Sequence, residues 1–102
     1  MGERGVNMKI YISGAITGTD DYMERFAKAE KELTEQGYSV VNPAKVNAQL
    51  PGDTTYEEYM KMCFCMLSMC EAIYLLRGSE KSCGAKREVE FAKSEDMEII
   101  YE

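Results

Sequence analysis

Residues 8–18 read MKIYISGAITG, and this stretch indicates the fold. Its first six residues are rich in β-branched and aromatic side chains, a composition typical of a strand. Gly14 closes the strand, and the loop that follows contains a second glycine, Gly18. A strand that passes through such a loop toward a helix is the usual first unit of a parallel α/β sheet.

The first helix and the second strand follow this unit. Asp20 and Asp21 are N-cap candidates for a helix that ends before Gly37. Its apolar residues recur at spacings of three and four, and they are Tyr22, Phe26, Ala29 and Leu33. Residues 38–42 form the second predicted strand, and residues 44–53 form a loop.

The second half of the chain repeats the alternation. Thr54 or Thr55 caps a second helix, residues 72–76 form a continuous apolar strand, and Ser82 caps a third helix that ends near residue 96. Residues 97–101 form the last strand. The order predicts a small α/β domain of the Rossmann or flavodoxin type, with a four-stranded parallel sheet and three helices.

Length and charge limit the possible functions. The 102 residues suffice for one domain, residues 1–102, in which residues 1–7 are expected to be a flexible leader. The formal charge of −6, with 18 acidic and 12 basic residues, argues against a nucleic-acid partner. No segment approaches the length of a membrane span or has the pattern of a signal peptide, so we expect a cytoplasmic protein without a membrane partner.

The cysteines do not indicate a metal site. The chain has four of them and no histidine, and Cys63 and Cys65 lie two apart in a predicted helix, where they point in different directions. We therefore expect reduced, buried thiols, no metal and no cofactor.

Residues 62–70, from Met62 to Cys70, are apolar on every side of the second helix apart from Ser68. A helix that packs on one face of a sheet needs an apolar stripe on one side only. We therefore expect a second copy of the chain to cover the far side, as in a homo-oligomer, although a monomer with an exposed apolar helix remains the alternative.

Two loops at the carboxyl ends of strands have chemistry suited to a ligand. The first runs from Tyr11 to Gly18, and the second lies between Arg77 and Glu88 and contains four of the twelve cations. Their glycines and helix starts can present free amides to an anion. The predicted ligand-binding residues are Tyr11, Ser13, Gly14, Ala15, Ile16, Thr17, Gly18, Asn42, Arg77, Ser82, Gly84 and Glu88.

The residues alone leave simpler interpretations open. The first loop is also compatible with turn geometry and no ligand, and the second with a solvated run of charges. Glu88 follows the Ser82 cap by six residues and neighbours an apolar stripe, so its carboxylate can lean toward the sheet edge. By pattern alone, however, it is better interpreted as a surface glutamate of a helix.

Three separated motifs resemble the nucleoside 2-deoxyribosyltransferase-like superfamily. They are YISGAITG at residues 11–18, CEAIYLLRG at residues 70–78, and the spacing Ser82-x-Gly84-Ala85-x-x-Glu88. The resemblance extends over residues 9–101 and is strongest to the short branch, often phage-borne, that includes anti-Thoeris proteins. Those proteins sequester cyclic ADP-ribose-type signals in pockets shared between subunits.

The resemblance implies roles for individual residues. If the protein is an enzyme, Glu88 is the catalytic nucleophile toward an anomeric carbon, and Tyr11 orients it. The Ser82–Gly84 turn would bind sugar or phosphate. Cys63 occupies the position where these enzymes have an aspartate that helps to protonate the leaving base, and a buried thiol is a poor proton donor.

Two functions follow from this comparison. The sequence favours a non-catalytic sponge that sequesters a cyclic ADP-ribose-type or related cyclic nucleotide, in the host cytosol if a phage encodes it. The alternative is an N-glycosidase or deoxyribosyltransferase that acts on a nucleoside or nucleotide with Glu88 as nucleophile. In both cases the partner is a small nucleotide ligand.

Overall fold

The computed structural model describes residues 8–16 and 19–102. Its four strands form one parallel sheet in the order β2-β1-β3-β4, which confirms the predicted α/β fold. The strands are β1 (Lys9–Ser13), β2 (Ser39–Val41), β3 (Ala72–Leu75) and β4 (Glu98–Tyr101). The predicted leader, residues 1–7, lies outside the described residues.

The helices connect consecutive strands. They are α1 (Tyr22–Glu35), α2 (Pro43–Asn47), α3 (Tyr56–Ser68) and α4 (Cys83–Ser94), and a 3-10 turn spans Ser79–Lys81. Thr55 caps α3 in a reciprocal pair with Glu58, and Ser82 caps α4 by accepting a hydrogen bond from the Ala85 amide. Both caps agree with the sequence pattern.

Two details differ from the sequence prediction. The predicted loop over residues 44–53 begins with the short helix α2, because Asn42 Oδ1 accepts hydrogen bonds from the amides of Ala44 and Lys45 and Pro43 stands in the first turn. The structure therefore has a fourth helix. At α1, Asp21 occupies the N-cap position, but its side chain makes no capping hydrogen bond.

The core has two layers because successive residues of a strand point to opposite faces of the sheet. Ile10 and Ile12 of β1 pack with Phe26 and Leu33 of α1 on one face. Tyr11 points to the other face, where α3 and α4 pack. This alternation places the phenol of Tyr11 on the side of the sheet from which α4 presents Glu88.

Candidate functional site

A cavity of about 760 Å³ opens at the carboxyl end of β1. Its wall includes β1 and the loop after it, α2, the first turns of α3, and the start of α4. In the strand order 2-1-3-4, the chain leaves β1 toward β2 and leaves the neighbouring β3 in the opposite direction, toward β4. The crevice between two such strands is where ligands bind in open parallel sheets. The cavity therefore lies where the topology of the sheet favours a ligand site.

Glu88 is the charged group on the cavity floor. Its side chain lies in the second turn of α4, and the residue is only 6% exposed. Ser13 Oγ donates a hydrogen bond of 2.6 Å to Oε1, and the Tyr11 phenol donates one of 2.7 Å to Oε2. The preference for a surface glutamate, drawn from the pattern alone, was wrong, because β1 and α4 together bury this carboxylate.

Burial controls the proton affinity of this cluster. It raises the pKa of the Glu88 carboxyl, and the hydrogen bonds from Ser13 and Tyr11, together with the nearby Cys63 thiol, oppose the shift. Burial and the nearby Glu88 charge raise the pKa of Tyr11, so its phenol stays protonated and remains a donor. Among the described residues, no lysine or arginine forms an ion pair with Glu88; the described ion pairs are Lys45–Glu30 and Arg87–Glu57.

Cys63 of α3 is buried beside the same carboxylate and lines the cavity. Asn47 Nδ2 of α2 donates a hydrogen bond of 3.4 Å to its sulfur. Burial raises the pKa of the Cys63 thiol, and the Glu88 charge raises it further. At neutral pH the group is therefore a protonated, weakly acidic thiol.

The mouth of the cavity at the start of α4 has the opposite electrostatic character. Lys81 lines it and is exposed, and the first turn of α4 contains no acidic residue. The first amides of a helix have no acceptor within the helix, and those of Cys83 and Gly84 lie at this point. This end of the cavity is suited to an anion, because amides, helix dipole and a lysine are combined there.

The two cavity glycines, Gly14 and Gly84, serve different purposes. A Cβ on Gly14 would lie 2.9 Å from Leu76 Cδ1, so this glycine allows the loop after β1 to start close to a core leucine. A Cβ on Gly84 would meet Met60 Sδ at 3.4 Å and Tyr56 Oη at 3.5 Å, which are ordinary contacts. Packing within the chain thus explains Gly14 and leaves Gly84 unexplained.

The structure gathers most of the predicted site residues around this cavity. Those on its wall are Tyr11, Ser13, Gly14, Ala15, Ile16, Ser82, Gly84 and Glu88. Asn42 is absent from the described lining, since its side chain caps α2 and donates to Glu30 Oε1 at 3.0 Å. Thr17 and Gly18 lie outside the described residues.

Arg77 also lies away from the described lining of this cavity. It is exposed and borders a second depression of about 640 Å³, on the β4 side of the sheet edge, with Tyr101 and Glu102. Its amide donates a hydrogen bond of 2.7 Å to Glu102 Oε1. The cations between residues 77 and 87 thus do not lie together. Lys81 is on the described wall of the first cavity, whereas Arg77 and Lys86 border the second depression.

The aromatic part of the wall was not predicted from the sequence. Tyr22, Phe26, Tyr56 and Tyr59 line the cavity together with Tyr11. Tyr56 and Tyr59 lie three residues apart in the first turn of α3, hence on neighbouring positions of one helix side. This spacing directly after the Thr55 cap could have predicted their place in the wall. The helix that leads from one parallel strand to the next begins at the carboxyl edge of the sheet, which is where the cavity lies.

Residues 8–101 match a protein family described as a domain of unknown function, DUF4406. The chain belongs to this family. No curated protein sequence matches it.

Within residues 8–16 and 19–102, no group of histidine, cysteine or acidic side chains has the arrangement of a metal site. In the same residues, no helix is long and apolar enough to cross a membrane.

The fold is similar to that of a deoxyribosyltransferase. A solved structure of 2-deoxyribosyltransferase from the psychrotolerant bacterium Bacillus psychrosaccharolyticus superposes with a TM-score of 0.74. The superposition covers 91% of this chain and 70% of that one, at 15% sequence identity. The fold expected from the three motifs is therefore confirmed.

Proposed function

We propose that the cavity binds a nucleoside or nucleotide and that Glu88 attacks its anomeric carbon, as in an N-glycosidase or deoxyribosyltransferase. The observation that carries the proposal is the buried carboxylate on the cavity floor, held at both oxygens by Tyr11 and Ser13. Each oxygen keeps a second lone pair, so the carboxylate can still act as a nucleophile. The fold of a 2-deoxyribosyltransferase supports this assignment.

The reaction would proceed in two displacements. A Glu88 oxygen forms a bond to the anomeric carbon while the bond from that carbon to the base nitrogen breaks, and the electron pair leaves with the base. Water then attacks the same carbon and releases the carboxylate, or a second base does so in a transfer. Tyr11 and Ser13 keep the carboxylate oriented and offset part of its desolvation before each attack.

The mouth of the cavity favours ligands with a 5′-phosphate. A phosphate near the first turn of α4 would accept from the free amides there and pair with Lys81. Packing within the chain does not require a glycine at position 84, because a Cβ there would make only ordinary contacts. A glycine at this position would instead let the phosphate or sugar approach the backbone closely. Nucleotides should therefore bind more tightly than the corresponding nucleosides.

A non-catalytic sponge is the second candidate, and Cys63 is the observation that favours it. A base that leaves with an electron pair usually needs a proton, and general-acid help is worth about 10²–10⁴ in rate. The Cys63 thiol, whose pKa burial raises, is a poor source of that proton. A ligand such as a cyclic ADP-ribose-type nucleotide would then be held intact.

One experiment separates the two candidates. The protein is mixed with nucleotides and with cyclic ADP-ribose isomers, then denatured, and the released compounds are identified by chromatography. Free base that disappears with Glu88→Gln supports the glycosidase or transferase. Intact ligand recovered in stoichiometric amount supports the sponge, and no retained or altered compound from either set would overturn both.

We also propose that the outward side of α3 packs against a second copy of the chain. Met62 and Met69 are 39% and 55% exposed, and Cys65 between them is exposed too. Their spacing of three and four residues places them in one stripe, the pattern of a helix–helix seam. The apolar helix predicted to cover residues 62–70 thus keeps an apolar side available for self-association.

A further inference from the structure

The charge on Glu88 is the starting point. The carboxylate is surrounded by hydroxyl groups and a thiol, and among the described residues none supplies a positive charge to it. A buried carboxylate without a cation is unfavourable unless something else provides the countercharge. A proton on the carboxyl group can remove the charge, and a positive charge on a bound ligand can compensate it.

The cavity wall is suited to a flat cation. The aromatic lining residues that keep exposed surface are Tyr22, Tyr56 and Tyr59, whereas Tyr11 and Phe26 are buried. The guanidinium of Arg87 already lies 5.7 Å from the centre of the Tyr56 ring. Aromatic rings attract cations through the negative charge of their faces, and aromatic-lined sites are used to bind organic cations. Around a single buried carboxylate, such a wall would favour a charged aromatic ring over a neutral one.

The opposite end of the cavity carries the opposite charge. Lys81 and the start of α4 lie at the mouth, while Glu88 lies five residues after Cys83, about 8 Å further along the helix axis. This distance resembles the separation between the base and the 5′-phosphate of a nucleotide. The cavity therefore presents a positive mouth and a negative floor to one ligand.

We propose that the ligand is an N-glycoside of a cationic aromatic base, of the pyridinium type, with a phosphate at its other end. This inference rests on the proposed function and names its substrate class. The cationic ring would lie against the aromatic wall near Glu88, and the phosphate would lie at the Lys81 end. Each charge of the ligand would then meet its complement.

A cationic base also removes the need for a general acid. When Glu88 bonds to the anomeric carbon, the carbon–nitrogen bond breaks and its electron pair neutralises the pyridinium nitrogen. The base leaves as an uncharged pyridine and needs no proton. Water then displaces the carboxylate, and one proton passes to solvent. The weak acidity of the Cys63 thiol therefore does not hinder this reaction. It would hinder the release of a neutral purine, because that base needs a proton as it leaves.

Oxidised and reduced nicotinamide mononucleotide are a matched pair of probes. They share sugar, phosphate and carboxamide, but the oxidised ring is cationic and the reduced ring is neutral. We expect the oxidised form to bind at least about tenfold more tightly by calorimetry at pH 8. We also expect release of nicotinamide from the oxidised form alone.

Two variants assign the preference to its cause. Glu88→Gln should lower the affinity ratio of the two forms well below its wild-type value, because it removes the buried charge but keeps the side-chain size and the aromatic wall. Lys81→Ala, at an exposed position, should weaken both forms to the same extent and leave the ratio unchanged. Thermal unfolding of each variant verifies that it is folded.

The outcomes distinguish this inference from the proposed function. Equal affinity for the oxidised and reduced forms in the wild-type protein would overturn the cationic-base inference. Release of adenine or thymine from neutral nucleotides, with no binding of either nicotinamide form, would overturn it too and leave the proposed function standing. Failure of every nucleotide and cyclic nucleotide to bind would overturn both.

Discussion

The Tyr11 phenol donates a 2.7 Å hydrogen bond to Glu88 Oε2, and this bond connects the central strand to the helix at the cavity floor. The two residues are 77 positions apart in the sequence. Ser13, two residues after Tyr11 on the same side of β1, holds the other carboxylate oxygen. Strand periodicity thus supplies both donors, and the helix supplies the acceptor.

Tyr11→Phe should move the acidic limb of the pH–rate profile to higher pH. The change removes a donor to the carboxylate, which disfavours the charged form and raises the pKa of Glu88 further. A hydrogen bond to a charged group is worth about 1.5–3 kcal/mol, so turnover at neutral pH should fall by about tenfold or more. The profile is measured as kcat/KM for base release, and Ser13→Ala should shift it in the same direction. An unchanged profile in both variants would contradict this role.

Glu88→Gln should make the protein more stable at neutral pH. Burial raises the Glu88 pKa above its ordinary value of 4.5, so the native state favours the protonated side chain. Its contribution to stability is complete below that ordinary value and is lost as the pH rises through the raised value. Glutamine, neutral throughout, should gain about 1–2 kcal/mol at pH 7.5 and almost nothing at pH 4.

Urea unfolding at several pH values measures this difference. Glu90→Gln is the matched control, because Glu90 lies on the same helix but is exposed. Its effect should be small and should not follow the pH in this way. A glutamine at position 88 that destabilises the protein at pH 7.5 would mean that the two hydroxyl donors outweigh the burial of the charge.

Local signals in the sequence were sufficient to predict most of the fold. The strand at residues 9–13, the Thr55 and Ser82 caps and the end of α1 before Gly37 all depend on residues close together in the chain. The short helix α2 was missed because five residues are too few for a periodic pattern. Its signal was Asn42 before Pro43, a helix start that was interpreted as the end of a strand.

The candidate site was harder to predict because its contacts are distant in sequence. Glu88 is buried against Ser13 and Tyr11, which lie 75 and 77 residues away in the sequence. The pattern of residues within α4 therefore could not show that it is buried. Asn42 and Arg77 had suitable chemistry and suitable strand ends, but Asn42 caps α2 and Arg77 lies on the β4 side of the sheet edge. Where a side chain points at that edge depends on packing, which the order of the elements does not determine.

Met62→Lys should convert an oligomer into a monomer. The charge would fall within the apolar stripe of Met62, Cys65 and Met69, where desolvating a lysine is unfavourable. Met23→Lys on α1 is the matched control, because Met23 and Met62 are both 39% exposed. Light scattering coupled to size-exclusion chromatography should give the mass of one chain for the first variant and that of the wild-type assembly for the second. A wild-type protein with the mass of one chain would contradict self-association through α3.

Gly14→Ala and Gly84→Ala should separate a glycine needed for packing from one needed for a ligand. At position 14 the added methyl group would lie 2.9 Å from Cδ1 and 3.0 Å from Cβ of Leu76, a core residue. The free energy of unfolding of this variant in urea should therefore fall by about 1–3 kcal/mol.

At position 84 the nearest atom to the added methyl group is 3.4 Å away, and alanine is a better helix former than glycine, so the stability should be unchanged or slightly higher. The methyl group would however enter the space between Ser82, Tyr56 and Met60, and affinity for a nucleotide should fall at least about tenfold. Wild-type affinity in Gly84→Ala would mean that no ligand approaches the start of α4, and the anion would then have to bind elsewhere in the cavity.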